Sequence, residues 1–234
     1  FAMPGMPLVF VPGLMCTGRI YQHQIEDLGQ RHPIMLANHW SAPTMKDVAR
    51  QILGAAPGRF AIAGTSMGGY VALEIIRQAP ERVAQLALLS TSAKPDTPER
   101  SKGRREQVAV ARKSNSMRES TKVLWPKLVH PARQEDHTLF NIFIDMAEQL
   151  GVDAFERQIE AIISREDARP LLAAIKIPTL VIVGNDDTLI VPDEGREIAA
   201  GISGARLREV ENAGHMCMTE QPETVTKLLK DFFN

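Results

Sequence analysis

At 234 residues the chain is close to the most that a single hydrophobic core supports, so one domain carrying an insertion is expected. With 44% hydrophobic and 24% charged residues, Gly 16 and Pro 15, it is not disordered, collagenous or a disulfide scaffold. A formal net charge of −1 gives no overall pull toward nucleic acid or anionic membranes, and two cysteines with no four-ligand Cys/His cluster exclude a structural zinc site.

The first apolar run, Leu8-Val-Phe-Val11, is closed by Pro12-Gly13 and reads as a strand buried on both faces. Ile34-Met-Leu-Ala37 is a weaker second strand. A helical pattern from Met45 to Leu53 follows, then a third strand from Arg59 to Ala63. The helical stretch from Tyr70 to Gln78 is stopped by Pro80, and Leu86-Ala-Leu-Leu89 is the next strand. Thr179-Leu-Val-Ile-Val183 and Arg206-Leu-Arg-Glu-Val210 are the last two. The chain closes on Val225, Leu228, Leu229 and Phe232 at helical spacing, with Pro222 near a favoured first-turn position. Alternating strand and helix predicts a mainly parallel sheet with helices on both faces, whose chemistry gathers at the carboxyl ends of the strands.

The alternation breaks between about Ser92 and Pro170. Leu139 to Leu150 and Val152 to Ser164 are amphipathic there, with Val152, Phe155, Ile159, Ile162 and Ile163 on one face, so this segment is expected to be a helical insertion over the sheet edge. Residues 94–133 carry 11 Lys/Arg against 4 Asp/Glu, and residues 134–169 carry 3 against 9. Either these faces pair with each other, or the basic stretch receives an acidic carrier or an anionic substrate. No stretch approaches the roughly 18 apolar residues of a membrane span. The start, Phe1-Ala-Met-Pro-Gly-Met-Pro, has neither the basic opening nor the apolar run of a signal peptide, so a cytoplasmic setting is expected.

Gly64-Thr65-Ser66-Met67-Gly68 fits G-x-S-x-G between a strand and a helix beginning near Gly69. So tight a turn strains the serine backbone, lifts the Ser66 hydroxyl above the sheet and aims a helix N-terminus at it. A hydroxyl needs a base before it attacks. Of six histidines, five read as surface or loop residues; His215, after the last strand in Asn212-Ala-Gly-His215, shares a layer with Ser66 and is the expected base. The loop Gly184-Asn-Asp186-Asp187 supplies two acids, either of which suits the orienting role, since alternation stops deciding once a strand ends. Backbone donors for an oxyanion are expected at Met67 and at Leu14, where Gly13 lets the chain turn.

On these residues the chain resembles the α/β-hydrolase fold family, specifically its small lidded esterase-like serine hydrolases. The resemblance covers nearly the whole chain: the elbow, Ala79-Pro-Glu-Arg-Val83, Ile177 to Gly184, the loop to Pro192 and Gly214-His215. It implies a core of residues 1–91 and 171–234 with 92–170 as a helical lid. It also implies a Ser66–Asp187–His215 triad without metal or cofactor; the family's acid stands three residues after the loop glycine, which favours Asp187. Two departures stand out. Pro12-Gly13 replaces the usual His-Gly ahead of the oxyanion residue, and little sequence precedes Leu8, so the one or two edge strands that usually come first in the family are expected to be missing or truncated here.

The expected substrate is a small ester-like molecule with an apolar group, cleaved through an acyl-enzyme. Thioesters, lactones and carbon–carbon bonds beside carbonyls fall to the same machinery, and a non-catalytic ligand-binding relative is the other reading. A dehalogenase or epoxide hydrolase is disfavoured because those use a carboxylate at the elbow. Met15, Met67, Met216 and Met218 flank the site and either pack the core or give it an adaptable apolar wall. Trp125, Phe140 and Phe143 either line the underside of the insertion or hold its helices together. Cys16 and Cys217 read as free buried thiols.

Overall fold

The computed structural model describes residues 5–234, so the signal-peptide reading falls partly outside it. In chain order the elements are β1 (Leu8–Val11), α1 (Gln22–Leu28), β2 (Ile34–Leu36), α2 (Met45–Ala55), β3 (Phe60–Thr65), α3 (Met67–Gln78) and β4 (Val83–Leu89). Next come α4 (Pro98–Ser114), α5 (Arg118–Leu128), α6 (His137–Ile163) and α7 (Arg169–Leu172). The chain ends with β5 (Thr179–Gly184), α8 (Pro192–Gly201), β6 (Arg206–Val210), α9 (Cys217–Glu220) and α10 (Pro222–Phe233).

The six strands form one parallel sheet in the order β2-β1-β3-β4-β5-β6. The apolar runs seen in the sequence are continuous because both faces are covered. Val9, Val11, Ile62, Leu88 and Val181 face a core shared with α2, α3 and α8. Their chain neighbours Leu8, Phe10, Ala61, Ala63, Leu89 and Ile182 face the opposite core, with Leu28 of α1 and Val225, Leu229 and Phe232 of α10. β4 begins at Val83, earlier than its apolar run, because Val83 already pairs with Phe60. At the edge, β6 leaves Arg206, Arg208 and Glu209 exposed, charges that blunt an open strand.

The strand order places the site. From β1 the chain turns one way to β2, then crosses to β3 on the other side, so the connections diverge between β1 and β3. Val11 and Gly64 are register partners at the carboxyl ends of those strands. The loop after β1 and the turn after β3 therefore flank one crevice.

No strand lies between β4 and β5 among the described residues; α4, α5, α6 and α7 fill that stretch. Helix α6 breaks at Gly151 (φ 80, ψ 173), the point that divides the two amphipathic stretches of the sequence. Val108, Ala111, Met117, Ala147, Val152, Phe155 and Ile159 give the insertion a small core, which closes on Met15 of the β1 loop. Its two ends meet: the Ala168 N–H donates to the Ala93 carbonyl at 2.8 Å, and Arg165 Nε donates to the Lys94 carbonyl at 3.0 Å. No helix among the described residues is long and apolar enough to cross a membrane.

Candidate active site

The turn from β3 into α3 holds Ser66 at φ 53, ψ −117, a conformation that L-residues avoid. Neighbours overdetermine it. The Ser66 N–H donates to the Leu89 carbonyl at 2.9 Å, and the Ser66 carbonyl accepts from Thr91 Oγ1 at 2.7 Å. The Gly69 and Tyr70 N–H groups also donate to that carbonyl, so α3 starts at Met67 rather than near Gly69. A Cβ on Gly68 would run into the Val11 carbonyl oxygen, and one on Gly64 into the Gly68 carbonyl oxygen. Both obstacles are backbone and cannot step aside. Gly68→Ala is therefore expected to cost about 3 kcal/mol or more, read as a fall in Tm of roughly 6–12 °C; an unchanged Tm counts against this packing.

The loop after β5 separates its two acids. Asp187 is buried, 3% exposed: its Oδ1 accepts from the Leu189 and Ile190 N–H groups at 2.9 Å each, and its Oδ2 lies 2.7 Å from His215 Nδ1. Beside this carboxylate the Nδ1 proton is the one retained, which leaves Nε2 bare. Asp186 points toward solvent, 3.6 Å from His130 Nε2. The His215 loop is tied to the insertion by Glu220, a buried carboxylate that accepts from the Gly214 N–H at 2.8 Å and the His130 N–H at 2.6 Å. Burial raises the Glu220 pKa, against the pull of these two amides. Nothing in the sequence marked Glu220, because one of its two partners, the His130 N–H, lies far away in the chain, just past the end of α5.

In the β1 loop the tight turn is not made at Gly13. Met15 takes the left-handed conformation, at φ 60, and its N–H donates to Gln158 Oε1 of α6 at 3.2 Å. The Cys16 N–H donates to the Gly13 carbonyl at 3.1 Å. That carbonyl also accepts from His39 Nε2 at 2.8 Å. His39 is fully buried and His32 is 6% exposed, so of the five histidines read as surface or loop residues these two are in loops but not at the surface. The loop that lacks a histidine of its own is steadied by one from the segment after β2.

Burial lowers the His39 pKa from 6.5 to about 4, opposed by the Gly13 carbonyl. The unfolded chain therefore takes up this proton near pH 6.5 while the folded protein does not until about pH 4. Stability falls as pH drops across that window, by on the order of 3 kcal/mol. His39→Gln, which keeps a donor for Gly13, is expected to flatten the urea midpoint between pH 6.5 and 4; an unaltered slope refutes this account.

Ser66, His215, Leu14, Met15 and Met216 line one wall of a cavity of about 330 Å³, a volume suited to a small molecule. The insertion supplies the facing wall, with Leu124, Leu128, Phe143 and Ile162. Of the expected pocket aromatics only Phe143 lies on it. The Trp125 Nε1–H donates to the Gln134 carbonyl at 2.8 Å, and the ring meets Phe140 edge-on at 5.2 Å. These two rings join α5 to α6 instead of lining the cavity. Met67 and Met218 are buried in the core, so only Met15 and Met216 of the flanking methionines reach the pocket. Arg100, Arg104 and Lys127 also line it and were not singled out from the sequence, although they fall within the basic stretch.

Cys16 and Cys217 are free and buried, and burial pushes each thiol up to about 12, far from a neutral-pH nucleophile. Among the described residues no three His, Cys, Asp or Glu side chains converge in a metal-binding arrangement.

Comparison with known proteins agrees with this geometry. A model described as alpha/beta hydrolase family matches residues 8–228. The chain is 28% identical to a pimeloyl-[acyl-carrier protein] methyl ester esterase of Neisseria meningitidis, over 90% of this chain and 88% of that protein. A thermophilic esterase from Thermogutta terrifontis superposes with a TM-score of 0.89 at 25% identity, over 97% of this chain and 89% of that one. An enol-lactonase from Burkholderia xenovorans superposes with a TM-score of 0.86 at 24% identity, over 99% and 93%, and shares the fold.

Proposed function

This chain belongs to the alpha/beta hydrolase family, and from that premise we propose that it hydrolyses a carboxylic ester of a small molecule through an acyl-enzyme on Ser66. The observation that carries the proposal is the buried Asp187–His215 pair, 2.7 Å apart, with the imidazole on the same cavity wall as Ser66. Esterase and lactonase relatives support the same class of carbonyl chemistry.

In this mechanism Ser66 Oγ attacks the ester carbonyl while His215 Nε2 takes its proton, and Asp187 stabilises the imidazolium that forms. The tetrahedral oxygen receives the backbone N–H groups of Met67 and Leu14. Met67 opens α3, so its amide is one that a helix leaves without an intrahelical acceptor. In the β1 loop the Met15 and Cys16 amides are already engaged, and the amide of Leu14 remains for the ligand. Collapse expels the alcohol, which takes the proton from His215. Water then attacks the acyl-enzyme, gives its proton to His215, and the acid departs as Ser66 regains its hydrogen. Residues 92–170 serve as the lid of this site, roofing the cavity with α4, α5 and α6. The same steps serve a thioester or lactone carbonyl.

A fluorophosphonate probe tests the reading. Covalent labelling confined to Ser66 is expected, and lost in Ser66→Ala. An unlabelled wild-type protein would mean that the fold binds ligands without turnover, and would overturn the proposal.

A further inference from the structure

The cavity wall built by α4 and α5 is not the plain apolar surface that a simple ester needs. Arg100, Arg104 and Gln107 recur at helical spacing on α4, and Thr121, Leu124 and Lys127 on α5, so one face of each helix looks inward. Three cationic side chains line the cavity and no carboxylate does, in a chain whose formal net charge is −1. Three outward cations of the same helices are occupied: Arg105 by Glu160 at 2.9 Å, Arg112 by Asp153 and Glu156, and Lys122 by Glu119 at 2.8 Å. Arg100 and Lys127 meet no carboxylate at salt-bridge distance among the described residues.

Arg104 is held differently. Its Nε donates to Asp96 Oδ2 at 2.6 Å, while Asp96 Oδ1 also accepts from Arg165 Nη1 at 2.8 Å. Burial pushes the Asp96 pKa up, but the bonds and charges of the two guanidinium groups outweigh it and hold the carboxyl below its ordinary value. One carboxylate thus serves two guanidinium groups, so this cluster keeps a net positive charge beside the cavity. Arg165 in turn lies over the Tyr70 ring at 4.1 Å, and Tyr70 also lines the wall.

We propose that the substrate carries a carboxylate remote from the bond that is cleaved, and that Arg100, Arg104 and Lys127 form its subsite. This rests on the ester-hydrolase reading above and names its substrate class: half-esters of diacids, or lactones bearing a free acid. Guanidinium groups suit a carboxylate because their planar fork meets both oxygens. An acidic carrier docking on the outer surface is the less favoured source of the same charge complementarity, because Arg105, Arg112 and Lys122 are already paired there and only Lys113 and Arg118 are left, whereas Arg100 and Lys127 line the cavity without a carboxylate partner.

The test compares kcat/KM for monoethyl succinate, adipate and suberate with that for chain-matched ethyl butanoate, hexanoate and octanoate. In the wild-type protein at least one half-ester is expected to be favoured by roughly ten-fold, the scale of one charged hydrogen bond. The Arg100→Gln/Lys127→Gln protein is expected to lose most of that ratio, and Arg112→Gln, on the outer face of α4, to keep it. A wild-type ratio at or below one for every chain length overturns the subsite. So does a ratio that Arg112→Gln lowers as much, the result that docking on the outer surface gives. Calorimetry of adipate with the Ser66→Ala protein reads the subsite without turnover. Binding there, abolished by Arg100→Gln/Lys127→Gln, sustains the subsite even if no ester is hydrolysed; no binding overturns it even if esters are.

Discussion

Ser66→Ala is expected to lower kcat for a short-chain nitrophenyl ester by about four orders of magnitude or more, with the fold intact. The size follows from removing the attacking atom: what remains is transition-state stabilisation by backbone donors and binding, which in serine hydrolases leaves only a small residue of the rate. The fold is expected to survive because the Ser66 backbone, not its hydroxyl, is what the neighbours hold, through the Leu89 carbonyl and the Thr91 hydroxyl. Alanine meets the same positive φ at the same cost. Circular dichroism and Tm should therefore match wild type while turnover vanishes, and turnover within ten-fold of wild type would refute Ser66 as nucleophile.

Asp187→Asn is expected to have the next largest effect, a fall in kcat of about 10⁴-fold. The carboxylate at 2.7 Å fixes the His215 proton on Nδ1; an amide there can present its own N–H and drive the ring into the tautomer that has no base facing Ser66. Oδ1 is held by the Leu189 and Ile190 amides, an arrangement that the asparagine oxygen can keep, so the loss should fall on kcat more than on stability. Asp186→Asn, at the solvent side of the same loop, is expected to stay within about two-fold, since its side chain is exposed and its 3.6 Å contact with His130 lies at the surface, where such contacts contribute little. Equal losses from the two substitutions would remove the distinction between the acids.

The contrast between these neighbours shows where sequence reading stops. The strands were legible because each is buried on both faces, so Leu8 to Val11 and Thr179 to Val183 stand out as unbroken apolar runs. The elbow was legible because glycine is compulsory where backbone passes backbone, and Gly64 and Gly68 sit at such crossings. The choice between Asp186 and Asp187 could not come from periodicity once β5 had ended; it came from a family spacing, and in the fold Asp187 is the one of the two that lies against His215, held by two amides of the following turn. His39 and Glu220 were invisible for a related reason: each acts across a long sequence separation on a backbone group, His39 on the Gly13 carbonyl and Glu220 on the His130 N–H, and a lone His or Glu in a loop or short helix carries no pattern.

The insertion was half legible. Its helical character and the break near Gly151 follow from apolar spacing, and its uneven charge was plain. Which cations face inward was not, because Arg100, Arg104, Arg105 and Arg112 sit on one weakly amphipathic helix. Only packing against α5 and α6 turns the first two toward the cavity and the last two toward Asp153, Glu156 and Glu160. Trp125 and Phe140 were ambiguous in the same way, and packing made them a joint between helices.

The backbone bond between Ala168 and Ala93 has a consequence for how such a protein diversifies. A detour that departs and rejoins through one closed pair puts little constraint on its own length, since closing a longer loop adds only about 0.6 kcal/mol per doubling. The stretch between those two alanines is thus exchangeable as a unit provided that its ties to the site loops are kept, Gln158 to the Met15 amide and the His130 N–H to Glu220: another helical hairpin with other charges then fits the same socket while Ser66, Asp187 and His215, all outside it, stay where they are. New selectivity then comes by exchange of one contiguous stretch, and a chimera made at positions 93 and 168 is the natural way to build it.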